Sequence, residues 1–327
     1  LGMVDILPDE SPKWRALENI IHEEAANFNF EEIRTPIMEQ TELIKRGIGQ
    51  LTDIVTKEIF AFTKGDSNYV LRPELTAPVV RAYVQHHLDQ RGGSQKLYYI
   101  GPMFRAERPQ KGRQRQFHQF GVEVIGSENP VADVECIAFM MRIYQRIGIK
   151  NFNLKLNSVG DPESRENYKS VLKEYLEPHL EKLSELSQKR FETNPMRILD
   201  SKEPEDQEFI QSAPVISDHL NEESKEHFAQ VCEMLSSLNI EYTLDPLLVR
   251  GMDYYTRTAF ELTSPDLGSQ DALAGGGRYD LLVEEIGGKP TPAVGFAAGM
   301  ERLFIACEEL GISLADEKKV DVFFFFF

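Results

Sequence analysis

The stretch from Lys96 to Gly126 constrains the fold more than any other. Two strand-like runs, KLYYIGPMFRAE (96–107) and QRQFHQFGVEVIG (114–126), flank the connection ERPQKGR. The connection is too long for a tight turn and too short for a crossover helix, so the runs read as antiparallel partners. The pattern recurs. Residues 58–72 read as two strands joined by a turn at Lys64–Asn68, and 254–263 is followed by a strand at 269–276. Such pairs, without βαβ alternation, predict an α+β domain whose antiparallel sheet is flanked by helices rather than a doubly wound fold.

Apolar residues at helical spacing (Trp14, Leu17, Ile20, Ile21, Ala25, Phe28) predict a helix over 11–28. Further helices are expected at 75–88, 130–147, 278–286 and 300–310. A short extended run broken at Pro36 leads into a helix through Leu43, and strands are expected at 151–160 and 241–245. From 161 to 238 strand signals vanish and charged helical segments follow one another. The expected division is a discontinuous domain, 1–160 and 239–322, with a helical insertion, 161–238. The terminal run Phe323–Phe327 fits neither a helix face nor a strand and is set aside as an uncertain tail.

No run of 18 apolar residues suggests a membrane span, and LGMVDILPDE lacks the pattern of a secretory signal. Cys136, Cys232 and Cys307 stand far apart, with no CxxC pair, which suggests reduced thiols in the cytoplasm. The net charge of −17 is unlike that of a dedicated nucleic-acid-binding module. The charge is uneven. Residues 161–230 carry 17 acids against 9 bases, whereas 104–118 places Arg105, Arg108, Lys111, Arg113 and Arg115 against Glu107 alone. A basic cluster within an acidic chain suggests a site for a small anion.

Five segments could carry chemistry. Arg105 and Arg113 share one hairpin, and guanidinium groups suit bidentate contact with phosphate oxygens; a solvated basic turn would look the same. Gln119 and Glu123, four apart on a strand, share a face opposite Phe120, Val122 and Val124. An amide and a carboxylate there would suit an ammonium or an imidazole N–H, or would simply meet water. LVRGMDYYTRTAFE (248–261) offers Arg250, Tyr254 and Tyr255. ALAGGGRYD (272–280) has three glycines where a ligand or another backbone could come close, but it is neither a GxGxxG fingerprint nor a P-loop. AVGFAAGMERL (293–303) leads into a helix with Glu301 and Arg302 in its first turn. No metal-ligand spacing and no Ser/His/Asp grouping stands out, and His118 reads as structural. Arginines without a strong nucleophile suit transfer at phosphorus, where catalysis is alignment and charge stabilisation.

Over nearly its whole length the chain resembles the bacterial histidyl-tRNA synthetases. RTPIMEQTELIKRG (34–47), FRAERPQKGRQRQFHQ (104–119) and AVGFAAGMERL (293–303) are similar to motifs 1, 2 and 3 of class II aminoacyl-tRNA synthetases. LVRGMDYY (248–255) and AGGGRYD (274–280) resemble the two histidine-specific signatures. LNSVG, NPMRILDSK and GSQ (268–270) add agreement, while Leu75 departs from a common glycine.

The resemblance implies a class II catalytic domain and a two-step reaction: histidine and ATP, with Mg2+, give histidyl-adenylate, and the acyl group passes to the 3′ end of tRNA(His). It implies Arg105 at the α-phosphate, Arg113 at the outer phosphates, Arg302 at adenine, and Glu107 also at ATP. Arg250 stands opposite the α-phosphate and, with Arg105, is catalytic; no metal ligand among the side chains is assigned. Histidine is met by Glu74 and Gln119 at its ammonium and by Glu123, Tyr255 and Tyr279 at its imidazole, with Thr76, Tyr254 and Arg250 alongside. It further implies a homodimer through the region around Pro36. The family's C-terminal anticodon-binding domain is expected to be absent from this chain, so adenylate formation should outlast tRNA charging. The runner-up is the regulatory subunit of ATP phosphoribosyltransferase, a binding partner of the same fold that tends to lose Arg105, Arg250 and the tyrosine signature.

Overall fold

The computed structural model of the chain describes residues 2–49, 52, 54–265, 272–315 and 324–325. It begins with α1 (Ser11–Asn27), whose Leu17, Ile21 and Ala25 recur every four residues and are all buried, so one stripe faces inward. There follow β1 (Glu31–Glu32), β2 (Met38–Gln40), α2 (Thr41–Ile48), β3 (Phe60–Lys64), β4 (Ser67–Leu71), α3 (Thr76–Gln85), β5 (Gln95–Phe104), β6 (Gln116–Ile125), α4 (Pro130–Ile147) and β7 (Asn153–Ser158). Four helices come next without an intervening strand: α5 (Pro162–Leu176), α6 (Glu185–Thr193), α7 (Pro204–Gln211) and α8 (Glu222–Ser237). The chain then forms β8 (Thr243–Leu244), β9 (Thr256–Thr263), β10 (Ala272–Arg278), α9 (Leu282–Glu285), β11 (Ala293–Gly299) and α10 (Met300–Glu309). α4, α5 and α8 start alike: the side chains of Asn129, Asp161 and Asn221 accept backbone N–H groups of Val131, Ser164 and Ser224.

Eight strands form one sheet in the order β1-β5-β6-β11-β10-β9-β7-β8. Only the edge pairs β1–β5 and β7–β8 are parallel; the interior pairs are antiparallel. The expected antiparallel sheet flanked by helices is therefore present. Period-two alternation gives its two faces different chemistry. Phe120, Val122 and Val124 on β6, Phe260 on β9 and Phe296 on β11 are buried in one core with Leu17, Phe139, Val231 and Leu303 from α1, α4, α8 and α10. On the opposite face, Gly121, Gly275 and Gly295 make room for the side chains of Tyr99, Arg250 and Glu123. That face is covered by a second core containing Val79, Tyr99, Tyr168, Leu172, Tyr255 and Tyr279.

A small sheet, β2-β4-β3, packs beside α2 and α3 around Ile44, Ile48, Val70 and Ala77. Buried Arg72 ties the extended segment before β2 to the main sheet. Its guanidinium donates to the carbonyls of Thr35 (2.7 Å) and Pro102 (3.0 Å).

Several expected boundaries shift. The connection after β5 closes at its tip into a tight turn, where Gln110 and Arg113 exchange backbone hydrogen bonds at 3.0 and 2.9 Å. The helix expected at 278–286 is only the single turn α9, because β10 runs on to Arg278 and buries its guanidinium against Asp133. The strand expected over 241–245 is just β8, and Tyr254 and Tyr255 precede β9 rather than open it. The GSQ stretch at 268–270 and most of the phenylalanine tail lie outside the described residues.

Candidate active site

A cavity of about 260 Å3 opens on the glycine-bearing face of the sheet. Its wall gathers residues from segments remote in sequence. Arg105 follows β5, Glu107 and Arg113 belong to the hairpin connection, and Gln119 lies on β6. Arg250, Tyr254 and Tyr255 come from the loop before β9, Glu74 and Thr76 from the start of α3, and Arg302 from the first turn of α10. All ten sequence-predicted residues just named line this one space. Two others, Glu123 and Tyr279, do not line it; they are fully buried beneath its floor.

Carbonyls hold two of the arginines and carboxylates hold the other two. Arg105 Nε donates to the Pro73 carbonyl at 3.0 Å, and its guanidinium lies 5.1 Å from the Phe117 ring centre. Arg113 pairs with Glu107 at 3.3 Å. Arg302 donates to the carbonyls of Gly112 (3.2 Å) and Ala272 (2.7 Å). Burial, reinforced by the charges of Arg113 and Arg105, lowers the Arg302 pKa from its usual value. A cavity in which cations repel one another favours an anionic guest.

Arg250 lies flat against β10 and pairs with Glu261. Burial opposes its charge, but Glu261 and Tyr255 outweigh burial and leave its pKa raised. Gly275 makes this pose possible: a Cβ there would collide with the Arg250 guanidinium. Gly295 plays the matching part for Glu123, since a Cβ there would collide with the Glu123 carboxylate and the Val122 carbonyl.

The Glu74 carboxylate caps α3, accepting the N–H groups of Thr76 (2.6 Å) and Ala77 (3.0 Å). Beneath the floor Glu123 accepts three hydroxyls: Thr76 at 2.8 Å, Tyr99 at 3.1 Å, and Tyr279. Burial pushes the Glu123 pKa up to about 8, and those hydroxyls only partly oppose it. Two polar atoms of the cavity residues, Gln119 Oε1 and Arg250 Nε, are buried without a hydrogen-bond partner. Buried polar atoms rarely stay unpaired, so these two suit the space to a polar guest.

Glu261, Tyr99 and the close approach at Gly295 went unassigned in the sequence, and the one at Gly275 was read without its partner, Arg250. Glu261 closes the LVRGMDYYTRTAFE segment, but a single acid on a strand gives no sign of its partner. His118 turns away from the cavity floor: its Nδ1 meets Glu301 at 2.9 Å, and its ring lies 4.7 Å from that of Trp14.

The profile of the histidyl-tRNA synthetase family matches residues 2–303. The chain belongs to the histidyl-tRNA synthetase family. A histidine–tRNA ligase from Picosynechococcus sp. is 53% identical over 311 residues, 95% of this chain and 73% of that protein. The apo histidyl-tRNA synthetase of S. aureus has the same fold at TM-score 0.78 and 44% identity, covering 95% of this chain and 74% of that one. A Bacillus halodurans structure described as an ATP phosphoribosyltransferase regulatory subunit/histidyl-tRNA synthetase is more distant. It has 26% identity and TM-score 0.70, over 94% of this chain and 82% of its own. Family membership accounts for all five motif segments at once.

Proposed function

We propose that this chain is a histidine–tRNA ligase. In the first step a carboxylate oxygen of histidine attacks the α-phosphorus of ATP and pyrophosphate leaves. In the second, the 3′-terminal ribose hydroxyl of tRNA(His) attacks the acyl carbon and AMP leaves. One observation carries the reading: guanidinium groups from three separate stretches (105 and 113, 250, 302) line one cavity that holds two buried, unpaired polar atoms. No nucleophilic side chain is needed, because positioned charge stabilises phosphorus as it becomes pentavalent.

In this proposal Arg105 and Arg250 flank the α-phosphate, Arg113 and Glu107 hold the outer part of ATP, and Arg302 braces adenine. Gln119 Oε1 accepts from the histidine ammonium beside Glu74. The imidazole rests beside Tyr255 on the floor that Glu123 and Tyr279 underlie, while Thr76 and Tyr254 shape the wall. Mg2+ comes with ATP and neutralises phosphate charge. Among the described residues no group of three or more His, Cys, Asp or Glu stands ready to hold a metal alone.

The division into a catalytic unit, 1–160 and 239–322, and an inserted helical unit, 161–238, is part of the same proposal. It is supported by the run of helices α5–α8; the last of these also packs into the sheet's core through Val231 and Leu235. No described helix is long and apolar enough to cross a membrane, and we place the activity in the cytoplasm.

ATP–pyrophosphate exchange tests the reading directly. Exchange is expected with histidine and not with other amino acids; a background rate with histidine, or an equal rate with another amino acid, would overturn it. We also propose a homodimer through the region around Pro36. Ile37, Met38 and Phe62 are 42%, 55% and 42% exposed there, and the strand register puts Met38 and Phe62 on one face of the small sheet. Exposed apolar clusters of this kind mark contact surfaces. Sedimentation of the Met38→Asp/Phe62→Asp variant is expected to show monomer where the wild type shows dimer; equal masses would remove the proposal.

A further inference from the structure

The loop that delivers Arg250 and the two tyrosines has little internal support. Residues 249–255 lie in neither helix nor strand. Their anchorage comes largely from outside, and much of it comes from the inserted helical segment. Arg165 on α5 donates through Nη1 to the Tyr255 carbonyl at 2.7 Å and the Asp253 carbonyl at 3.3 Å, and through Nη2 to that same Asp253 oxygen at 3.3 Å. Asn194, just after α6, donates through Nδ2 to Asp253 Oδ1 at 2.9 Å. From the other side, the Asp253 N–H donates to the Ile48 carbonyl at the end of α2, at 3.1 Å. The next residue, Gly49, has no side chain where one would meet the Asp253 carboxylate at 2.6 Å. Asp253 is thus clamped between α2 and the helical insertion.

We propose that Arg165, seconded by Asn194, is a positioning residue for histidine activation. It touches neither substrate; it acts by fixing the carbonyls of Asp253 and Tyr255, and with them the side chains of Tyr255, Tyr254 and Arg250. This rests on the reading that 250–255 serve the histidine site. Neutral contacts could hold the helices equally well if only packing mattered. A forked cation holding two carbonyls of one loop fixes the loop's orientation as well as its distance. Errors of about 1 Å in such positioning cost up to about a hundredfold in rate.

The test compares Arg165→Met, which keeps the apolar stem, with Arg165→Lys, Asn194→Ala and Arg250→Ala in histidine-dependent ATP–pyrophosphate exchange. Arg165→Met is expected to lower kcat/KM for histidine about tenfold or more, while KM for ATP stays within about twofold, because Arg113 and Arg302 hang on other elements. Arg165→Lys should recover part of the loss, and Asn194→Ala should show a smaller loss of the same kind. In the Arg250→Ala background, Arg165→Met should cost less than it does alone, since both act on one loop. A merely structural role would instead lower the active fraction and leave both KM values unchanged. That outcome, or wild-type kinetics in Arg165→Met and Asn194→Ala, overturns the proposal. If Arg165→Met does not fold, Arg165→Lys and Asn194→Ala decide the matter by the same split. Full activity in Arg250→Ala would indict the reading of the site itself, whereas loss there with none at Arg165 and Asn194 would indict only this inference.

Discussion

Arg250→Ala is expected to lower histidine-dependent ATP–pyrophosphate exchange by about a hundred- to a thousandfold, the usual cost of deleting one preorganised group that stabilises transition-state charge. The expectation follows from how the guanidinium is held. It lies over Gly275, where any Cβ would displace it. It is paired with Glu261, and its Nε is buried without a partner. The Glu261 pair leaves donor capacity over for a substrate oxygen. Arg250→Lys should restore little, because an ammonium cannot both pair with Glu261 and meet a phosphate in the plane of a fork. Stability should change modestly, since the Glu261 side chain is 22% exposed and can recover water. The check is exchange kinetics beside a thermal melt. Exchange within tenfold of wild type would show that Arg250 does not face the reacting phosphorus.

The gross architecture was readable because local chemistry and global fold agree. The hairpin at 96–126 and the alternation of Phe120, Val122 and Val124 against Gln119 and Glu123 are short-range signals, and each appears as expected. What could not be read was depth. Glu123 and Gln119 share a strand face, yet Gln119 reaches the cavity and Glu123 lies under its floor. Period-two alternation tells which side a residue faces and not how far down it sits. The glycines of 275–277 were legible as a close approach but not as the seat of Arg250, because its partner segment lies elsewhere in the chain. The one-turn α9 was overread as a longer helix, because the burial of Arg278 against Asp133 is a tertiary effect that overrides local pattern.

Glu123→Gln should separate two consequences of one buried carboxyl. With its pKa pushed up to about 8 from an ordinary 4.5, Glu123 keeps a proton in the folded chain that the unfolded chain gives up. Between those values the native state binds more protons, so the group's contribution to stability falls as pH rises from about 4.5 and is fully lost once pH passes about 8. A glutamine can still accept from Thr76 and Tyr99 through Oε1, and donate through Nε2 to the Tyr279 hydroxyl, without carrying charge. The variant should therefore melt near the wild type at pH 5 and higher than it at pH 8.5, by an amount worth a few kcal/mol. Histidine use should move the opposite way. The Glu123 carboxyl can give up its proton beside a charged imidazole and an amide cannot, so kcat/KM for histidine should fall about a hundredfold while KM for ATP holds. Thermal melts from pH 5 to 9 and exchange kinetics read the two arms independently. If the melting gap does not widen with pH, the carboxyl is not protonated in the fold. If the variant uses histidine like the wild type, Glu123 supports the floor and does not recognise the ring.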